Sequence, residues 1–373
     1  MFESPPFWMY VIGFLLLLGP LVTVHELGHL LVGRLFGVKA DAFSVGFGKE
    51  LAGFTDRRGT RWKLSALPLG GYVQFKGDMN PASIPDPDAP AEPDSFQSAA
   101  LWKRALIVAA GPVTNLLVAI VIFFAFNLAF GKPLPVEPDE VGTIAGFTEG
   151  SRAAQAGFKV GDRIVAIDGV AQTNWREIQQ TIMLRPNHRF VITVQREDAR
   201  IDLPVTTAAE QLTDKFGNAQ TIGLIGVRTL ETEERFAPLS VSEAAVMAVR
   251  QCADTGRMMI AGIGQIIRGD RSMSELGGPI KIAKFSGEQM SMGPLNFMSL
   301  VALISLNLAF INFLPIPALD GGHLMFYLVE AVRRKPVGPQ ATEWAYRTGI
   351  ALVLMLMAVV TVNDIVTLPF FGS

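Results

Sequence analysis

His25-Glu26-Leu27-Gly28-His29 sets two imidazoles four positions apart, with a carboxylate directly after the first. On a helix, positions i and i+4 share a face, so both rings can reach one Zn²⁺. Glu26 is then placed to act as general base toward a water that the metal activates. The pentapeptide follows directly on Phe7–Val24, an uncharged apolar run. Ionisable groups at membrane depth are costly and persist mainly where they serve a site. Three of them at ligand spacing point to a metal centre inside a membrane rather than to a buried structural cluster.

Two histidines leave a catalytic zinc one ligand short, since such sites take three protein ligands and keep a fourth position for water. Cys252 is the sole cysteine, which excludes an intrachain disulfide and any multi-cysteine zinc set. The third ligand must then be a histidine or a carboxylate. Asn312-Phe313-Leu314-Pro315-Ile316-Pro317-Ala318-Leu319-Asp320-Gly321-Gly322-His323 ends a second apolar run and carries Asp320. Its prolines remove backbone donors and stop a helix, and Gly321 and Gly322 would permit a left-handed turn beside the metal. Non-helical backbone at this depth is tolerated only where it is buried or lines a water-filled cavity. Asp320 is therefore the expected third ligand. His323 is expected behind the ligands or at the surface, and His188, in a Pro-Asn-His-Arg turn, is set aside.

The elements that must position these groups follow from composition. Half of the 373 residues are hydrophobic and 18% are charged, which places the chain among polytopic α-helical membrane proteins with the lipid bilayer as partner. A net charge of −2 provides no basic footprint for nucleic acid. Met1–Pro6 lacks a basic n-region, so the first apolar run is expected to remain as a span rather than be cleaved as a signal peptide. About four transmembrane helices are expected, over residues 1–36 with the zinc motif, 105–131, 292–322 and 343–366. Lys and Arg crowd the stretch from Arg34 to Arg104, and Arg333, Arg334, Lys335 and Arg347 follow the third span. The positive-inside rule puts both loops, residues 37–104 and 323–342, in the cytosol. Both termini and the long insert between the second and third spans are then external. His25 and Asp320 come to the same, cytosolic side.

Asn115 and Asn312 can each be helix-to-helix hydrogen bonds, or can hold substrate or an oxyanion. For Asn312, just before the proline break, substrate contact is favoured; for Asn115 both readings stand. Taken with the zinc motif, Asn312-x-x-Pro315-x-Pro317, Leu319-Asp320-Gly321 and Gly111-Pro112-Val113-Thr114-Asn115 resemble the motifs of the site-2 protease family of intramembrane zinc metalloproteases. The branch typified by the regulator of sigma-E protease is the most similar. The resemblance runs through most of the chain. It implies a bacterial inner-membrane endopeptidase acting on single-pass membrane proteins, such as shortened anti-sigma factors or signal-peptide remnants. It also implies a membrane-associated β-sheet within residues 37–104, whose edge at Tyr72, Val73, Gln74 and Phe75 would pair with extended substrate.

Residues 136–230 read as an inserted external domain. A strand at Val141–Ile144, a short helix at Ser151–Gly157, and the Gly161-Asp162 and Asp168-Gly169 turns resemble a bacterial PDZ domain, ending at a loop over Gly223–Val227 that resembles a shifted carboxylate-binding loop. A peptide ligand is the expected partner. Known members of the branch carry two such domains, and the insert has room for one. Asp78–Asp94 reads as a Pro/Asp-rich linker. In the segment 238–291, Glu243, Arg250, Asp254 and Arg257 share one side of an amphipathic helix suited to the outer leaflet. The rival reading is a non-catalytic scaffold using the PDZ-like domain, which should have lost Glu26 or a ligand. A metal transporter would need polar groups along the whole crossing, and here they cluster at one depth.

Overall fold

The computed structural model describes residues 5–77, 92–133, 142–172, 175–213, 219–229, 236–268, 277–335 and 338–367. Residues 78–91 of the expected linker, and Val141 at the start of the expected strand, lie outside the described residues. One unit comprises Ser4–Asn127 with Val241–Ser373, and the other comprises Leu128–Ser240.

The first unit opens with α1 (Phe7–Leu35), β1 (Ala40–Thr55), β2 (Arg61–Phe75) and α2 (Leu101–Phe130). β1 and β2 are each too long to stay straight, and they fold back on themselves. Gly46 and Gly48 take φ of +89° and +87°, a region open to glycine at little cost. A Cβ on Gly46 would stand 2.7 Å from the Leu67 carbonyl oxygen. Through this bend Ser44 pairs with Tyr72 on one side and with Lys63 on the other, while Phe54 pairs with Trp62. The sheet therefore runs, in lateral order, Glu50–Thr55, Arg61–Leu67, Ala40–Phe47 and Gly71–Phe75. The last ply is an edge with no further strand beside it among the described residues. Leu30 of α1, Phe43 and Val73 of the sheet, Phe96, and Ile107 of α2 are buried in one cluster that locks the sheet to the two helices.

The second unit contains β3 (Lys132–Pro133), β4 (Ile144–Phe147), α3 (Arg152–Gln155), β5 (Arg163–Ile167), β6 (Val170–Ala171), α4 (Trp175–Met183), β7 (Arg189–Arg196), β8 (Ala199–Thr206), β9 (Ala208–Thr213), β10 (Ala219–Leu224), β11 (Val227–Thr229) and β12 (Phe236–Ala237). Strands β6-β5-β7-β8 form a four-stranded sheet in that order, and β4 pairs with β11. Ser151 caps α3 by accepting from the Ala154 N–H. The alternating inward residues Phe190, Ile192 and Val194 of β7 pack with Ile144, Ile164 and Ile178 in one buried core, each burial stabilising by about 1.5–3 kcal/mol.

The first unit resumes with α5 (Val241–Arg268), α6 (Pro279–Ser291), α7 (Pro294–Phe313), α8 (Asp320–Arg333) and α9 (Pro339–Thr367). Helices α1, α2, α7 and most of α9 (Thr342–Val366) are long and apolar enough to cross a membrane. Two stretches differ from expectation. The loop expected over 323–342 is largely helix α8, tied to α2 by the Arg104–Glu330 pair at 2.8 Å. The segment 238–291 is two helices rather than one amphipathic stretch. In α5, Ala244, Ala248 and Cys252 are buried, with Glu243, Arg250, Asp254 and Arg257 exposed. α6 packs on α1 so closely that a Cβ on Gly13 would meet Ser286 backbone at 2.9 Å. Asp364 of α9 holds the start of α6 by accepting from the N–H groups of Gly278, Ile280 and Lys281 at 3.0–3.2 Å.

Candidate metal centre

Helix α1 continues through the zinc motif, so His25 and His29 leave it one above the other, facing α2. α7 stops at Leu314, which is extended (φ −64°, ψ 142°) because the residue before a proline disfavours helical geometry. A turn follows in which the Leu319 N–H returns to the Ile316 oxygen at 3.1 Å. Pro317 and Ala318 are its central residues, and Ala318 takes φ +80°, a left-handed conformation costing a side-chain-bearing residue about 1–2 kcal/mol. The left-handed position is thus Ala318, not the expected Gly321 or Gly322. Those glycines lie in the first turn of α8, where a Cβ would meet the Leu314 and Ile316 carbonyls at 2.2 and 2.5 Å. Their lack of a side chain lets α8 sit on the turn and present Asp320 at its first position.

Three side chains so converge. His25 Nε2 lies 3.1 Å from Asp320 Oδ2, His29 Nε2 lies 3.6 Å from Asp320 Oδ1, and the two Nε2 atoms are 3.2 Å apart. Donors about 2.0–2.1 Å from a tetrahedral zinc stand about 3.3 Å from one another, and the two imidazoles and the carboxylate lie at separations close to that. His29 Nδ1 donates to the Ile107 carbonyl at 2.8 Å, which keeps the Nε2 lone pair directed at the cluster.

A cavity of about 470 Å³ opens on this cluster, and Glu26, Asn312, Tyr72, Val73, Phe75 and His323 are among its walls. Glu26 Oε2 accepts from the Val73 N–H at 3.1 Å, so the carboxylate meets the outer edge of the last ply of the sheet. Of the expected edge residues, Gln74 does not line the cavity. Asn115 does not line it either. Wholly buried, it sits behind the metal cluster with Nδ2 3.3 Å from His25 Nδ1. His323 reaches the cavity and pairs with the Tyr346 hydroxyl at 2.5 Å, and burial pushes its imidazole down to about 4.

Sequence reasoning missed Gly111 as a positional requirement. A Cβ there would lie 2.2 Å from His29 Nε2 and 2.8 Å from His25 Cε1, so only glycine leaves room for both rings against α2. The Gly-Pro pair was visible, but only packing across two helices reveals what it touches. Phe96 was also missed. It lies just beyond the linker, stacks on Phe75 with centroids 5.3 Å apart, and forms part of the cavity wall.

The chain is similar to known proteins along nearly its whole length. It is 41% identical over 367 residues, 96% of each chain, to a protein of Agrobacterium fabrum (strain C58) named "Putative zinc metalloprotease". It is 32% identical over 387 residues, again 96% of each, to the metalloprotease MmpA of Caulobacter vibrioides. A solved PDZ domain of an SdrC-like protein from Listeria monocytogenes matches 26% of this chain and 94% of its own at 22% identity, with a TM-score of 0.20. The family model described as peptidase family M50 matches residues 13–356. The chain therefore belongs to peptidase family M50, the site-2 protease family of zinc metalloproteases.

Proposed function

We propose that this protein is an intramembrane endopeptidase that cuts single-pass membrane proteins within or near their membrane segment, with His25, His29 and Asp320 holding zinc and Glu26 as the catalytic acid–base. The observation that carries the reading is the convergence of these four residues on one cavity bordered by an unpaired strand edge. His25, Glu26 and His29 are carried by α1, a helix long and apolar enough to cross a bilayer.

Zinc, when bound, supplies a Lewis acid for the scissile carbonyl and makes water a nucleophile near neutral pH. Glu26 takes a proton from the attacking water on its carboxylate and delivers it to the leaving amine nitrogen. The outer edge of β2 at Tyr72, Val73 and Phe75 binds the substrate main chain by strand addition. This requires an extended substrate, since a helix has already spent its main-chain donors. Asn312, half-buried on the cavity wall, is placed to hold a substrate carbonyl. The excess of Lys and Arg after α1 and after α7 favours a cytosolic position for the metal side and an external one for the insert. The strand order and turns of the insert are consistent with a PDZ-like docking domain. Anti-sigma factors or signal-peptide remnants in a bacterial inner membrane are the substrate classes that the family resemblance suggests.

Purified full-length protein in lipid should hold about one zinc per chain and lose it in His29→Ala or Asp320→Ala. It should cleave members of a panel of membrane-anchored substrates, and Glu26→Gln should keep the metal and bind substrate while cleavage falls by about 10²–10⁴. Zinc retained in the double variant His25→Ala/His29→Ala, or near wild-type cleavage by Glu26→Gln, overturns the assignment.

A further inference from the structure

The two imidazoles are held from behind by the same helix. α1 and α2 run antiparallel, so His29 meets Ile107 and His25 meets Asn115, two turns further along α2. At His29 the partner is a carbonyl, which can only accept, and Nε2 is therefore bare. At His25 the partner is a carboxamide, whose oxygen and nitrogen are nearly the same size and interchange by a half-turn of the group. With Nδ2 toward His25 Nδ1, at 3.3 Å, the amide donates. His25 would then carry its proton on Nε2, the atom 3.1 Å from Asp320 and 3.2 Å from His29 Nε2. In that orientation Asn115 Oδ1 is buried without a hydrogen-bond partner, an unfavourable state for a carbonyl oxygen.

We infer that Asn115 is a positioning residue for His25. Its carboxamide oxygen accepts from His25 Nδ1–H, which fixes the tautomer whose Nε2 lone pair faces the metal. The half-turn exchanges the two amide atoms, which gives the oxygen the His25 Nδ1–H as partner and puts Nδ2 where the oxygen stood, and it makes His25 the counterpart of His29. It also accounts for a polar side chain that is 0% exposed at the centre of an apolar helix. This inference rests on the reading of His25 as a zinc ligand and goes beyond it. The main chain of Asn115 has a separate task, accepting from Ser305 Oγ of α7 at 2.7 Å, so changes to the side chain leave the link between α2 and α7 in place.

The test uses full-length protein in lipid nanodiscs. Asn115→Leu keeps the shape and removes the acceptor, Asn115→Asp keeps an acceptor oxygen, and Ser305→Ala loosens the helix pair without touching His25. Zinc affinity by chelator competition should fall about 10–100-fold in Asn115→Leu and stay near wild type in Asn115→Asp and Ser305→Ala. The absorption spectrum of the Co²⁺-substituted protein should shift only in Asn115→Leu. Histidine ¹⁵N signals of metal-free wild type should show His25 protonated on Nδ1, a measurement that needs no variant to fold. Wild-type affinity and spectrum in Asn115→Leu, or His25 protonated on Nε2 in wild type, overturns the inference. His25→Ala separates the two levels. If it keeps zinc, the ligand assignment itself fails; if it loses zinc while Asn115→Leu does not, only the role of Asn115 fails.

Discussion

The main-chain N–H of Val73 and the carboxylate of Glu26 are hydrogen-bonded across the cavity at 3.1 Å. One is the outward donor of a strand edge and the other is the only carboxylate of the zinc motif. A substrate strand seated on this edge would take the Val73 donor for its own carbonyl and leave Glu26 free for the water. Binding and activation of the base would thereby be joined at a single atom.

Val73→Pro tests this coupling. Proline is tolerated at an edge whose N–H faces outward; it deletes that donor, with Val73→Ala as the control for the buried side chain that is lost with it. Zinc content should be unchanged, while kcat/KM on a membrane-anchored substrate should fall about tenfold, the worth of one hydrogen bond of about 1.4 kcal/mol. Unchanged kinetics would show that substrate does not use this edge.

Gly111→Ala should separate helix stability from the metal. Alanine favours a helix interior by about 1 kcal/mol over glycine, but here its methyl would stand 2.2 Å from His29 Nε2. Overpacking of this kind costs about 1–3 kcal/mol, and it falls on the imidazoles. Zinc per chain should drop well below wild type while the helical circular dichroism is kept. Full zinc loading would mean that the rings have room to retreat.

In the second unit, Asp162 is wholly buried and accepts from Arg196 at 2.6 and 2.7 Å and from the Lys159 N–H at 2.8 Å. Burial pushes its carboxyl up, but these donors outweigh it and leave the carboxyl below its ordinary value. Because the folded value lies under the unfolded one of about 3.9, the stabilisation is complete above that pH. It is lost as pH falls through the folded value. Hydrogen exchange of β5 and β7 should be steady from pH 7 to about 5, after correction for intrinsic rates, and quicken below about 4. Asp162→Asn should quicken it at neutral pH and flatten the acid response. An unaltered acid response in that variant would assign it to other groups.

Replacing residues 142–229 with a flexible linker should preserve zinc binding and cleavage of substrates with short external portions. It should also relax discrimination against bulky external domains, as expected of a docking or size filter. Loss of all cleavage in a folded, zinc-loaded deletion would instead make the insert part of catalysis.

Local rules made much of this protein legible in advance. The i, i+4 spacing of His25 and His29 is a property of any helix, the four apolar runs are long enough to span a bilayer, and Pro315 and Pro317 end α7 wherever it is packed. These follow from a few neighbouring residues and need no knowledge of the rest of the chain. Matching depth also singled out Asp320, though its approach to within 3.1 Å of His25 depends on α7, the turn at Ala318 and the side-chain-free first turn of α8 together. Other features became visible only through contacts between elements distant in sequence. The glycine-poor, charged look of 323–342 hid a helix that is held in place by Arg104, and α6 is helical where α1 leaves it a smooth face at Gly13. Asn115 could be read from its sequence context as a substrate contact or a structural bond. Its place behind His25 was decided by the antiparallel register of α1 and α2, a relation that neither helix encodes alone, because packing of two surfaces depends on both.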